Sequence, residues 1–301
     1  MVVGKNGYTL AFLAGIGWGT IGIISYYLGK TGIGPFEVAF LRLFFAFLIM
    51  FLFYFITDKE KVRIEKKEFK HAILIGVISQ GVMSLAMYKC ISMTSTTVGI
   101  MMVCLGPLFT ALLSRIFFSE KITLFKGLAL FLALYGASLV VTGGNFSKLQ
   151  TNGAGLLVGL LSALAFGSFP ILRKKIPEEL NFTGILMYSF LIGSIFTFPM
   201  LDIKILLKTF SLNTIIFSIL LGLIPTVFSY TIYSMSLKFI TPTKASIISL
   251  VELPAAAIIG HFFLREYLAT ISIIGIIILL AGITISKIEI PRRRNIFKTK
   301  Y

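Results

Sequence analysis

Charge is scarce in this chain, and acid is scarcer still. Only 13% of its 301 residues are charged, and Asp and Glu number 12 against 28 Lys and Arg. A soluble domain carries roughly 25% charged residues, so this chain lacks the polar side chains to clothe a water-facing surface. Cysteine is nearly missing too. Cys90 and Cys104 lie in apolar stretches without a CxxC partner, which excludes a disulfide scaffold and reads as two small buried hydrophobes. The two histidines, His71 at a loop edge and His261 near a span end, have no ligand partner at metal spacing, so neither a metal nor a cofactor is expected. No Gly-rich phosphate loop is found, and ATP-driven work would need another subunit.

What fills the chain instead is apolar: 57% hydrophobic residues and a mean hydropathy of +0.95. An all-α integral membrane protein is the class that fits, since a bilayer core needs about 20 predominantly apolar residues per helix. Ten such runs are read at 8–28, 35–57, 69–92, 95–118, 123–143, 153–173, 182–202, 212–237, 242–264 and 268–288. Turn signals separate several of them, including Gly32-Ile33-Gly34-Pro35, Gly143-Gly144-Asn145 and Thr241-Pro242-Thr243. The hairpin at 92–95 is only a few residues long; as one tilted helix it would reduce the count to nine. Lys5 alone precedes the first run, with no small-residue cleavage site, so that span is expected to be retained.

A net charge of +16 would suggest nucleic acid in a soluble protein, but here the basic residues sit in short loops between apolar runs. With ten spans, twenty Lys and Arg fall on the side that carries both termini and five on the other: Lys30, Lys148, Lys204, Lys208 and Arg265. The positive-inside rule then puts both termini in the cytoplasm. The expected partners are the bilayer and a small-molecule substrate, without nucleic acid, as a monomer or homodimer.

The sequence also repeats itself. Trp18-Gly19-Thr20 matches Phe166-Gly167-Ser168 at an offset of 148, and the row Ala11, Gly15, Gly19 matches Gly159, Ala163, Gly167. At 147, Thr94, Thr96 and Pro107 match Thr241, Thr243 and Pro254; at 146, Glu120 and Gly136 match Glu266 and Gly282. Five spans per half is an odd number, so the second half enters the membrane upside down. Inverted repeats of this kind are built around a midplane site between the halves. The expected organisation is a first repeat at 8–143, a second at 153–288, and a basic tail at 289–301.

Those paired units, with Arg42, Leu105-Gly106-Pro107 and Glu252-Leu253-Pro254, resemble the tandem EamA domains of the drug/metabolite transporter superfamily over about residues 8–287. The resemblance implies ten helices, cytoplasmic termini, and movement of small metabolites, often amino acids, across the cell membrane and commonly outward. One departure stands out: the Glu-x-Pro form occurs only in the second half, where Glu252 has Leu105 as its counterpart.

Glu252 is the sharpest single candidate. It lies about ten residues into its span, near the bilayer centre, where an acid costs on the order of 2.5–3.5 kcal/mol. It can carry a coupling proton, or it can be a carboxyl that only ties helices together. Pro107 and Pro254, each mid-span, delete a helical hydrogen bond and are candidate hinges or packing kinks. Pro225 has Ile78 as its counterpart and lacks that symmetry. Arg42, roughly 10 Å past Pro35 at 1.5 Å per residue, can hold a carboxylate bidentately, snorkel to the headgroups, or pair with Glu37. Lys89 and Arg115 read as snorkelling anchors. Gln80, Ser84 and Tyr88 share one face of the third span, and Thr226, Tyr230 and Tyr233 one face of the eighth. With Trp18 and Thr20 they form a cavity wall or interhelical glue.

The function expected from these residues is secondary transport of small organic solutes by alternating access, with proton coupling through Glu252. A lipophilic-cation exporter of the same fold is the first rival. A lipid-modifying membrane enzyme is the second, but no nucleophile–base pair sits at either interface and the loops are too short for a soluble active site, so the chain is not read as an enzyme. A purely structural protein would leave Glu252 without a reason.

Overall fold

The computed structural model describes residues 2–146 and 152–288, so Lys148 and the 289–301 tail fall outside the described residues. Ten long helices follow one another: α1 (Asn6–Gly29), α2 (Pro35–Thr57), α3 (Lys66–Met93), α4 (Thr96–Phe118), α5 (Leu124–Thr142), α6 (Gly153–Lys175), α7 (Phe182–Met200), α8 (Leu212–Ser236), α9 (Pro242–Leu264) and α10 (Thr270–Ser286). Nine are long and apolar enough to cross a bilayer; α10 has 17 residues, about 26 Å of helix. No strand occurs among the described residues.

Local chemistry sets the boundaries. Thr123, Asn152, Asn181 and Ser211 cap α5, α6, α7 and α8, each side-chain oxygen accepting from a backbone N–H of the first turn. The short hairpin between α3 and α4 is a true reversal. Thr94 ends α3 by donating its hydroxyl to the Cys90 carbonyl (2.7 Å), and Ser95 starts α4 by accepting from the Val98 N–H (3.2 Å). That turn makes the count ten and not nine.

Contacts between loops confirm the up-and-down order. Asn181, before α7, donates its side-chain amide to the Lys61 and Arg63 carbonyls, between α2 and α3. Glu37, at the start of α2, accepts from the Asp202 N–H at 2.8 Å, after α7. These two sets lie at opposite ends of the bundle. The end at which α1 begins and α10 finishes is the terminal end.

Helix packing maps onto itself when the halves are exchanged. α1 packs on α8 and α9 as α6 packs on α3 and α4; α2 lies against α8 as α7 lies against α3. Three further close pairs, α2–α7, α4–α9 and α5–α10, each join a helix to its own counterpart, while α3 also packs on α4 within the first half. Even the irregularities are paired. A π-helical turn runs over Ile75–Val82 in α3 and over Gly222–Phe228 in α8, beginning 147 residues apart. α4 is interrupted between Cys104 and Gly106, and α9 between Ser249 and Glu252. Ser119 and Arg265, which end α4 and α9, are the two non-glycine residues with positive φ among those described (51° and 57°).

Candidate functional site

Interrupted helices are where membrane proteins place non-helical backbone, against protein or a cavity. The breaks here follow from proline. Pro107 is the second residue of the second segment of α4, and Pro254 is the third residue of the second segment of α9. Neither can donate an N–H, and the chain closes each gap with a tight turn: Leu108 N–H to the Leu105 carbonyl (2.9 Å), and Leu253 N–H to the Leu250 carbonyl (3.1 Å). Glycines of the opposite half fit against both breaks. A Cβ on Gly19 would come within 2.6 Å of Ala255 Cβ and 2.9 Å of the Glu252 carbonyl. One on Gly167 would come within 2.5 Å of the Gly106 carbonyl. The Thr110 hydroxyl secures the second crossing by donating to the Gly167 carbonyl at 2.9 Å. The matched Gly19 and Gly167 motifs are therefore the points where α1 and α6 touch the broken helices.

Glu252 is the first residue of the second α9 segment. A carboxylate there meets the unpaired N–H groups and positive dipole end of a helix, which offsets part of its cost of burial. Half-buried, it lies within electrostatic reach of Cys104 on α4 and of Tyr230 and Tyr233 on α8. From the other side comes Arg42, 8% exposed, within reach of Tyr88 and of the same Tyr230. Its guanidinium donates to Ser84 Oγ at 3.3 Å. Pairing with Glu37 does not occur, because Glu37 sits a turn and a half closer to the helix start and is occupied by the Asp202 backbone.

Around Tyr230 the aromatic residues gather. Its ring lies 5.2 Å from Trp18, 4.9 Å from Phe169 and 5.8 Å from Phe190, and Trp18 also meets Tyr233 (5.1 Å) and Phe166 (6.0 Å). Most of these contacts are edge-on, the geometry that ring quadrupoles favour. Gln80 stands beside Tyr230, fully buried, with its amide within hydrogen-bonding reach of the Tyr230 hydroxyl. Gln80 and Arg42 from the first half thus meet the same Tyr230 of the second half.

The structure thus brings Trp18, Arg42, Gln80, Ser84, Tyr230, Tyr233 and Glu252 to one region where the halves meet. Tyr88 lies at its edge, half-buried against Phe36 (6.0 Å). Two candidates are engaged within their own helices. Thr20 donates to the Gly17 carbonyl (2.7 Å) at a one-residue break in α1. Thr226, fully buried, donates to the Leu221 carbonyl (2.9 Å), the group that Pro225 leaves without its N–H partner in the α8 π turn. Lys89 and Arg115 are exposed, as anchors would be.

Sequence reasoning passed over Glu120. Its carboxylate accepts from Lys126 Nζ (2.6 Å), from the Ser114 hydroxyl, and, across the interface between halves, from the Thr243 hydroxyl (3.0 Å). Burial works to raise this carboxyl, but the hydrogen bonds from Lys126 and Ser114 win and hold it below the usual carboxylate range. Its counterpart Glu266 is exposed and lines a cavity of about 440 Å³ at the opposite end together with Thr96 and Ser272. Those two residues are the counterparts of Thr243 and Lys126. The available signal was the Glu120–Glu266 match, which marks the pair without showing what either residue touches.

The chain matches the model of the EamA-like transporter family twice, over residues 5–142 and 153–287. Among similar proteins is an uncharacterized transporter of Archaeoglobus fulgidus, 25% identical over 88% of this chain and 92% of the relative. Another is the uncharacterized transporter YdfC of Bacillus subtilis, 23% identical over 91% and 88%. The uncharacterized inner membrane transporter YhbE of Escherichia coli is 25% identical over 44% and 43%. A solved crystal structure at 12% identity superposes with a TM-score of 0.76, covering 94% of this chain and 96% of the other, and shows the same fold.

Proposed function

The chain belongs to the EamA-like transporter family, and from that premise we propose that it is a secondary transporter. It moves small organic metabolites, amino acids or related solutes, outward across the cell membrane by alternating access with proton coupling. The observation that carries this reading is the convergence on Tyr230 of Gln80 and Arg42 from the first half and Glu252 from the second. Arg42 suits a substrate carboxylate and Glu252 a proton or an ammonium group. Trp18, Tyr230 and Tyr233 offer ring faces and hydroxyls to the rest of the molecule. Two five-helix repeats, 8–143 and 153–288, are the bodies that rock about this site, with Pro107 and Pro254 as hinges.

A lipophilic-cation exporter would use the same aromatic cluster and Glu252. Arg42, 8% exposed beside Tyr230, weighs against it, because a fixed guanidinium repels such a ligand.

Purified protein in liposomes tests the reading. Uptake and counterflow of amino acids and related metabolites, with and without a proton gradient, are expected to reveal a carboxylate-bearing substrate. Its accumulation should follow the gradient, and Tyr230→Phe should weaken its binding about tenfold by removing one hydrogen bond to a charged site. Transport of lipophilic cations with no response to amino acids would instead favour the rival.

Orientation belongs to the same proposal: both termini are cytoplasmic, on the strength of the basic loops. In a background with Cys90 and Cys104 replaced by serine, an impermeant thiol reagent applied to intact cells is expected to label Lys204→Cys and to spare Lys66→Cys. Labelling of both, or of Lys66→Cys alone, overturns it.

A further inference from the structure

At the terminal end, away from the Arg42–Glu252 region, a cavity of about 1020 Å³ opens beside the loops that join α4 to α5 and α8 to α9. Five lysines line it: Lys121, Lys126, Lys174, Lys238 and Lys244. Two carboxylates among the described residues reach Lys126 and Lys238. Glu120 is held by Lys126, and Glu178 reaches Lys238 from outside the lining at 2.6 Å. Two of the other ammonium groups are tied in place by neutral oxygens. Lys174 Nζ donates to the Leu237 carbonyl (2.6 Å), and Lys244 Nζ, on a residue only 5% exposed, donates to the Tyr8 hydroxyl (3.1 Å).

Two helix N-termini open on the same space, α5 behind Thr123 and α9 at Pro242, adding their positive dipole ends. The rest of the lining includes Phe118, Phe239, Ile240 and Ile288.

We propose that this cavity binds a phosphate-bearing anion, gripped by Lys121, Lys174 and Lys238 and the N-termini of α5 and α9. Compact ammonium charges around helix N-termini are a phosphate chemistry, and an apolar wall at the membrane surface accepts the chains of an amphiphile. The anion is either the headgroup of an anionic phospholipid or a soluble phosphate. The site is separate from the transport reading and does not depend on it.

The test uses the full chain in detergent. Native mass spectrometry follows titration with phosphatidylglycerol against phosphatidylcholine, and thermal unfolding follows inorganic phosphate against chloride at equal ionic strength. Selective binding of at least one anionic probe is expected. Lys121→Gln/Lys174→Gln, at two exposed positions, should weaken it about 30-fold, since each lysine near an anionic headgroup contributes roughly one factor of five. Lys121→Arg/Lys174→Arg should retain it, and Lys66→Gln/Lys67→Gln, elsewhere on the same end, should leave it unchanged. Binding of phosphatidylglycerol alone assigns a lipid headgroup; binding of phosphate as well assigns a site open to soluble anions. The proposal is overturned if neither probe binds better than its control, or if the Lys66/Lys67 variant loses as much as the Lys121/Lys174 variant. Should the double Gln variant be recovered unfolded, Lys121→Glu alone is expected to show the same loss, and wild-type binding by it also overturns the site.

Discussion

Glu252→Gln is expected to reduce gradient-driven accumulation to the level of protein-free liposomes, while exchange of substrate across the membrane continues. Gln keeps the size of the side chain and its place at the start of the second α9 segment, where the helix N-terminus meets it. What it removes is the proton that the carboxyl can carry. Among the described residues no other Asp or Glu lies as deep in a span: Glu37 and Glu68 sit in the first turns of α2 and α3, and Glu120 and Glu266 in loops. If the variant still concentrates substrate with the wild-type pH profile, Glu252 is an interhelical tie and the coupling lies elsewhere.

The second large effect is on stability. α5 and α10 approach backbone to backbone through Gly136, Gly275 and Gly282. A Cβ on Gly282 would come within 2.7 Å of the Ala133 nitrogen and 2.8 Å of the Ala129 carbonyl, neither of which can swing aside as a side chain does. Within lipid, leucine gains little from burial between helices, and close approach is what such crossings depend on. Gly282→Leu must therefore push the pair apart, at a cost of about 3 kcal/mol or more. The expected result is loss of most monodisperse protein on size-exclusion chromatography and a clear drop in melting temperature. Gly127→Leu on α5, where a Cβ meets nothing within 4 Å, should behave as wild type. Equal behaviour of the two would mean that the glycine contacts do not limit stability.

Hydropathy and repeat spacing carry the architecture because both are one-dimensional quantities. Span 2 was read as 35–57 and is Pro35–Thr57; span 9 was read as 242–264 and is Pro242–Leu264, each fixed by a proline at its first turn. Span 1 begins earlier than 8 and α10 is shorter than 268–288, since no cap residue marks either end sharply. The interruptions of α4 and α9 were half visible, as prolines. The π turns were not, because a π turn is a backbone response to packing and has no residue signature of its own.

Partner choice was the least legible layer. Arg42 offered Glu37 as a neighbour five residues away in sequence, whereas its hydrogen bond goes to Ser84 on another helix. Trp18, Tyr230 and Tyr233 are far apart in sequence, and only folding shows that they share one cluster. Glu120 showed in the sequence only as the repeat counterpart of Glu266. Its grip on Thr243 needs the crossing of the two halves before it exists.

The exchange of partners between halves has a consequence for synthesis. α1 finds its main neighbours in α8 and α9, and α2 in α7 and α8. A ribosome adding ~5–20 residues per second delivers Glu252 roughly 10–40 s after Arg42. For that interval the first half sits in the membrane with its small-residue faces against lipid and its arginine without Tyr230 beside it. Insertion and packing are then separate events in time, and the basic loops must fix orientation before any helix has met its final neighbour.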